Sequence, residues 1–220
     1  MLKRNIIIAS IILLVFVVFL LSTIQKDKTK NNQLIQHNKE EYSLDISQLP
    51  KEELSPLEQE GLEYMLEEEK LARDVYKTLY NTYKLNVFKN IPNSEQKHID
   101  AVRDLAEKYN LKYHTTQDAT IGVFENKDIQ NLYDDLIQKG QLSLKDALEV
   151  GATIEDLDIY DLNNFLTDVD NKDIKKVYEY LIMGSENHLR AFNKQLIKNG
   201  YDSYTAQYIS QESVDAILSN

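Results

Sequence analysis

The 220-residue sequence predicts an all-α protein built on four long helices, with an extended crossover between the second and the third. Apolar residues recur at spacings of three and four over four long stretches, helix-capping residues bracket those stretches, and strand signals are weak.

The chain opens with a different kind of segment. Ile6 to Ile24 runs 19 residues without a charge, and at about 1.5 Å per residue it nearly spans a ~30 Å hydrocarbon core. Residues 1–24 are therefore expected to be a membrane anchor. The run ends without a small-x-small cleavage site, and the sequence has no cysteine for a lipoprotein linkage, so the anchor is expected to stay uncleaved. Lys3 and Arg4 precede it while Lys26, Lys28 and Lys30 follow, so flanking charge does not settle orientation. The usual inside N-terminus is the default, which places a single-pass protein in the cell membrane with its domain outside the cytoplasm. Residues 25–54 are rich in Lys, Asn, Gln and Glu without a sustained apolar period, and are expected to be a polar tether.

The helical domain is expected over residues 55–220. Ser55-Pro56-Leu57-Glu58 combines an N-cap serine, a first-turn proline and a capping-box glutamate. The helix that follows has an apolar stripe of Leu62, Met65, Ala72, Tyr76, Leu79 and Tyr83. The second helix carries Ile91, Val102, Leu105 and Tyr109 and ends near Asn110; Pro92 marks either its start or a kink. The crossover contains a short helix, Asp128 to Lys139, closed by Gly140. Ser143 with Asp146 caps a third helix to about Phe165, and Asp170 with Asp173 caps a fourth that ends at Asn199-Gly200. This order matches the ferritin-like variant of the four-helix bundle, in which inward carboxylates and histidines bind two metals.

Composition narrows the chemistry. Acidic residues outnumber basic ones by 36 to 25 and the net charge is -11, which disfavours nucleic acid as a partner. Without cysteine, thiolate nucleophiles, zinc-thiolate sites and iron–sulfur clusters are excluded, so any metal is held by carboxylate or imidazole.

Polar residues interrupt the apolar stripes at mid-helix. Glu69 falls between Met65 and Ala72; Glu95 and His98 fall between Ile91 and Val102; His188 falls between Leu181 and Phe192, one turn after Ser185. On the third helix Glu155 and Asp158 share a face, and Gly151 before them suits a close approach. Each residue alone has an ordinary reading: Glu67, Glu68 and Glu69 as a charge run on a wet face, His188 as a satisfied core histidine, Glu155 as exposed. Together they repeat one pattern on separate helices, and a buried ionised carboxylate is normally paired or coordinated.

The segments EEEKLARDVY, SEQKHIDAV, ALEVGATIEDLDIYDL and GSENHLRAF, with the tail SYTAQYISQESVDAIL, resemble a bacterial and archaeal ferritin-like family catalogued as a domain of unknown function. The first helix also resembles rubrerythrin, whose metal-binding Glu opens Glu-x-x-Ala-Arg-x-x-Tyr, here Glu69, Ala72, Arg73 and Tyr76. By that resemblance the second-helix Glu-x-x-His corresponds to Glu95 and His98. The third-helix Gly-Glu-x-x-Glu corresponds to Gly151-Ala152-x-x-Glu155, and the fourth-helix Glu-x-x-His to Ser185 and His188. Two carboxylates are thus replaced, by Ala152 and Ser185, with Asp158 and Glu149 as candidate substitutes.

The resemblance implies a metal site of Glu69, Glu95, His98, Glu155 and His188 holding one or two iron or manganese ions, with zinc as an alternative. The expected function is a diiron-type oxidoreductase that oxidises ferrous iron or reduces oxygen or peroxide. The alternative is a non-catalytic extracytoplasmic binding module with a single or vestigial metal site. The expected partners are the membrane, through residues 6–24, and metal ions; a homodimer is compatible with the sequence, and no particular protein partner is indicated.

Overall fold

In the computed structural model of the chain, residues 48–112 and 119–220 are described, together with Leu44 and Ile46. The expected membrane run and most of the expected tether lie outside them. Among the described residues there are six helices and no strand, and no helix is long and apolar enough to cross a membrane.

The helices are α1 (Pro56–Tyr83), α2 (Asn86–Tyr109), α3 (Lys127–Gly140), α4 (Leu144–Leu166), α5 (Lys172–Lys198) and α6 (Gln211–Ser219). Ser55 caps α1 through the capping box: Glu58 N–H donates to Ser55 Oγ at 3.2 Å and Ser55 N–H to Glu58 Oε2 at 2.9 Å. Lys84, with φ at 53°, ends it. Pro92 neither starts nor ends α2; it lies inside the helix, in the second turn, where it removes the backbone bond that would have run to Phe88. Ser143 caps α4 by accepting from Asp146 N–H at 3.1 Å.

The start of α5 departs from expectation. Its N-cap is Asn171 rather than Asp170, and the Asn171 side chain makes no capping bond, although Asp173 Oδ1 in the first turn accepts from Ile174 N–H at 2.9 Å. The carboxylate of Glu58 on α1 takes that role, with Oε1 accepting from Asp170 N–H at 3.2 Å and Asn171 N–H at 3.0 Å. One glutamate thus closes the N-termini of two helices, and the second is invisible to local pattern.

The four long helices α1, α2, α4 and α5 pack each against two of the others. Two apolar clusters form along them. One contains Val75, Leu79, Phe88, Ala147, Leu148 and Phe192; the other contains Leu62, Met65, Val102, Leu105, Ile174 and Leu181. α1 and α5 run from the second cluster to the first, and α2 and α4 run the opposite way, so the crossover must return the chain along the molecule. On all four helices the residues between the clusters are Glu69, Glu95, His98, Glu155, Asp158, Ser185 and His188, every one of them buried.

Two buried acids staple the irregular segments. Asp74 on α1 binds Lys70 Nζ at 2.5 Å and Arg73 Nε at 2.9 Å, and accepts from Gly122 N–H of the crossover at 3.0 Å. Asp156 on α4 accepts from Tyr204 Oη at 2.7 Å and from the backbone N–H groups of Gln207, Tyr208 and Ile209, which fixes the chain leading into α6. The compact unit begins at Leu44, before the expected boundary at residue 55, because Leu44, Ile46 and Leu54 pack against the second cluster.

Candidate metal centre

The mid-helix layer brings all five expected residues together. Their donor atoms form two overlapping groups, Glu69–Glu95–His98 and Glu95–Glu155–His188, with the atoms of each group within 4.8 Å of one another. Glu95 belongs to both. Its Oε2 lies 2.9 Å from His98 Nδ1 and its Oε1 lies 2.9 Å from His188 Nδ1, so each oxygen serves one imidazole. His98 Nδ1 is also 3.2 Å from Glu69 Oε2, and His188 Nδ1 is 3.4 Å from Glu155 Oε2. The two imidazoles stack with centroids 5.6 Å apart.

Helical spacing explains the convergence. Glu95 and His98 are three residues apart on α2, so they emerge from one face, and burial of the flanking Ile91 and Val102 turns that face inward. The other three come from one helix each, α1, α4 and α5.

Packing holds the His98 imidazole with Nδ1 turned to the carboxylates. On the far side of the His98 ring lies the α5 backbone at Gly184, where a Cβ would come within 2.5 Å of His98 Cε1 and Nε2. Tyr180 meets the same ring edge-on, with centroids 5.5 Å apart. Gly151 serves a related purpose, because a Cβ there would lie 2.3 Å from the ring of Phe192. The close approach expected at Gly151 is thus to an aromatic side chain. Tyr76 Oη donates to Glu155 Oε1 at 2.6 Å and anchors that carboxylate.

Charge and burial compete throughout. Burial alone would raise Glu95; His188 and then His98 more than offset this and hold it at about 2. Burial and the charge of Glu95 push Glu155 up to about 7, although His188 pulls the other way. Burial lowers the basicity of His188, but Glu95 and Glu155 overcome it and raise it to about 10. His98 is raised well above its ordinary value in the same way by Glu69 and Glu95. Positive charge is what these carboxylates lack, and protons on the imidazoles supply it here.

Several donor atoms remain unsatisfied. Glu69 Oε1, Glu95 Oε1 and His188 Nδ1 are buried without a hydrogen-bond partner. The last two are 2.9 Å apart yet not aligned to bond each other. Atoms that are close but not aimed at one another suit a shared ligand better than a direct bond.

The two candidate substitutes separate. Asp158 is buried on the Glu155 face and accepts a hydrogen bond from Ser185 Oγ, so a carboxylate of α4 meets the α5 position one turn before His188. Glu149 does not take part: it is partly exposed and paired with Lys145, outside both groups. Sequence reasoning also missed Glu68, assigned to a wet face but only 1% exposed. Gly61, Met65, Glu68, Ala72, Val75 and Leu79 form a second stripe at helical spacing, so the buried face of α1 is wider than a single stripe shows.

The chain is 56% identical over 176 residues to the Uncharacterized protein MJ0754 of Methanocaldococcus jannaschii, covering 80% of this chain and 94% of that one. A crystal structure of hypothetical protein MJ0754 from Methanococcus jannaschii is similar to it with a TM-score of 0.76 at 55% identity, covering 78% of this chain and 97% of that one. The family model described as Uncharacterized protein domain (DUF2202) matches residues 58–220, a span that contains the whole Glu95 centre, and the chain belongs to that family.

Proposed function

We propose that this protein is a ferritin-like metalloprotein, anchored in the membrane by residues 6–24, whose Glu95 centre holds two divalent ions of iron or manganese. The proposed activity is oxidation of ferrous iron or reduction of dioxygen or peroxide. The observation that carries the reading is the pair of buried ligand groups that share Glu95.

The donor set fits such ions. Carboxylate oxygen and imidazole nitrogen suit iron and manganese, and the unpartnered oxygens of Glu69 and Glu95 are costly to bury without a cation. Glu95, common to both groups, would be shared between the ions; Glu69 and His98 would help to hold one, and Glu155 and His188 the other. Tyr76 keeps Glu155 oriented by holding its Oε1 and leaving Oε2 toward His188. Glu69, Glu95 and Glu155 would leave two divalent ions with one uncompensated positive charge, and the buried Asp158 supplies a fourth carboxylate nearby. Bound there, the ions would supply one-electron redox chemistry. Electrons come from ferrous iron itself or from an external donor, because the chain has no cysteine for an iron–sulfur or rubredoxin-type centre.

A second reading, a non-catalytic extracytoplasmic binding module with a single or vestigial metal site, is favoured by Ala152 and Ser185 at positions where the rubrerythrin pattern carries carboxylates. Metal analysis of the purified full-length protein separates the two. Two irons per chain with an absorption change on exposure to oxygen support the oxidoreductase, and one inert zinc supports the module. A chain that takes up neither iron, manganese nor zinc overturns the oxidoreductase and leaves the module with a vestigial site. Fractionation tests the anchor, and recovery of the intact chain in the soluble extract would remove it.

A further inference from the structure

Beside the Glu95 centre lies a second set of carboxylates. Glu155, Asp158 and Asp161 are spaced three apart on α4, so they rise along one face in steps of roughly 4.5 Å. Glu68 of α1 packs against the upper two, and the charges acting on it most strongly, Asp158, Asp161 and Glu69, are all negative. Asp161 is partly exposed and accepts from Tyr64 Oη at 3.4 Å, whereas Asp158 and Glu68 are buried. The carboxylates thus run from solvent, through Asp161, Glu68 and Asp158, to the centre.

The hydrogen bonding of this set is incomplete in a specific way. Both oxygens of Glu68 and Oδ1 of Asp158 are buried without a partner. Glu68 and Asp161 lie within hydrogen-bonding reach of each other, and two carboxyl groups can meet there only through a shared proton or through a cation in its place. The fold does not neglect buried acids in general. Glu58 caps two helices, Asp74 binds Lys70 and Arg73, Asp156 takes backbone donors, and Asp173 binds Tyr109 and Lys108. Among the described residues, unsatisfied buried carboxylates occur only in the Glu95 centre and in this adjoining set.

We propose that Asp161, Glu68 and Asp158 form a staging site for a hard divalent cation, through which ions pass from solvent to the Glu95 centre. The inference rests on the metal-binding reading of that centre and adds the route by which it fills. An oxygen-only site with no imidazole holds manganous or ferrous ions more weakly than the centre does, which lets it pass them on.

Manganous ion added to the full-length protein tests the route, with uptake followed by rapid-mixing paramagnetic resonance and equilibrium stoichiometry by dialysis. Wild type is expected to bind two tight ions and a weaker third. Glu68→Gln and Asp161→Asn should each keep the two tight ions, lose the third and fill at least roughly ten-fold more slowly, the scale of electrostatic focusing. Asp161 is partly exposed, so its variant reads the route even if Glu68→Gln disturbs packing. Glu95→Gln should lose the tight ions and keep the weak one. Wild-type filling rates and an intact third ion in both ladder variants would overturn the staging site and leave the centre standing. Failure of wild type to bind manganese, iron or zinc would instead remove the centre, and the route with it.

Discussion

The backbone of Gly184 lies so close to the imidazole of His98 that no other residue fits there without moving the ring: a Cβ would sit 2.5 Å from both Cε1 and Nε2. This contact leaves Nδ1 as the nitrogen facing Glu69 and Glu95. Alanine favours a helix by about 1 kcal/mol over glycine, which partly offsets the cost of displacing the ring, so Gly184→Ala should leave the metal-free protein helical. The same change should weaken metal binding by about 10- to 100-fold, as displacement of a ligand's support does. Titration calorimetry with manganous ion and circular dichroism report the two effects separately. Unchanged affinity would mean that the ring position of His98 does not matter to the centre.

A second expectation concerns pH. Glu155 is raised from 4.5 to about 7, so its contribution to metal-free stability is full below pH 4.5 and is lost as pH rises toward 7. His188 is raised from 6.5 to about 10, so its contribution is full below pH 6.5 and is lost as pH rises through 10. Glu95, held at about 2, acts in the opposite sense and only below pH 4.5. The melting midpoint of the metal-free protein should therefore fall from about pH 5 to pH 8. Metal binding requires the same protons to leave, so the stabilisation by manganese should grow across that window. Parallel slopes with and without metal would contradict the assignment of these groups as ligands.

Metal itself should stabilise the fold. At about a hundred times its dissociation constant, a ligand that binds only the native state adds ~2.7 kcal/mol. His98→Ala should remove most of that gain, whereas Glu63→Ala, an exposed position on α1, should keep it. Differential scanning calorimetry reads both variants. Equal gains in the two would point to a general ion effect.

Asp156 should matter to stability and not to metal. Removing its carboxylate leaves Tyr204 and three backbone N–H groups without their acceptor, a loss on the order of 3 kcal/mol. For a domain of this size that lowers the melting midpoint by roughly 6–12 °C. Asp156→Ala should show that drop with manganese stoichiometry unchanged, and should open the chain after Gly200 to limited proteolysis. An unshifted midpoint would show that the tail is held by its apolar contacts, Val214 and Ile217, alone.

What the sequence determined is what repeats locally. Capping residues and the three-and-four spacing of Leu62, Met65, Ala72 and Tyr76 set the helices, and glutamates and histidines inside such stripes marked the polar layer, because a helix face is defined within a few residues. Tertiary structure decided the relations between helices. Only packing shows that Glu58 caps α5 across more than a hundred residues, that Glu95 stands between two imidazoles, and that Asp158 meets Ser185 while Glu149 turns to Lys145. The burial of Glu68 belongs to the same class, since a charge run reads as solvated until α4 is laid against it. The physical reason is that burial and charge are properties of the neighbours a side chain meets, and periodicity gives the face of a helix without naming what it packs against.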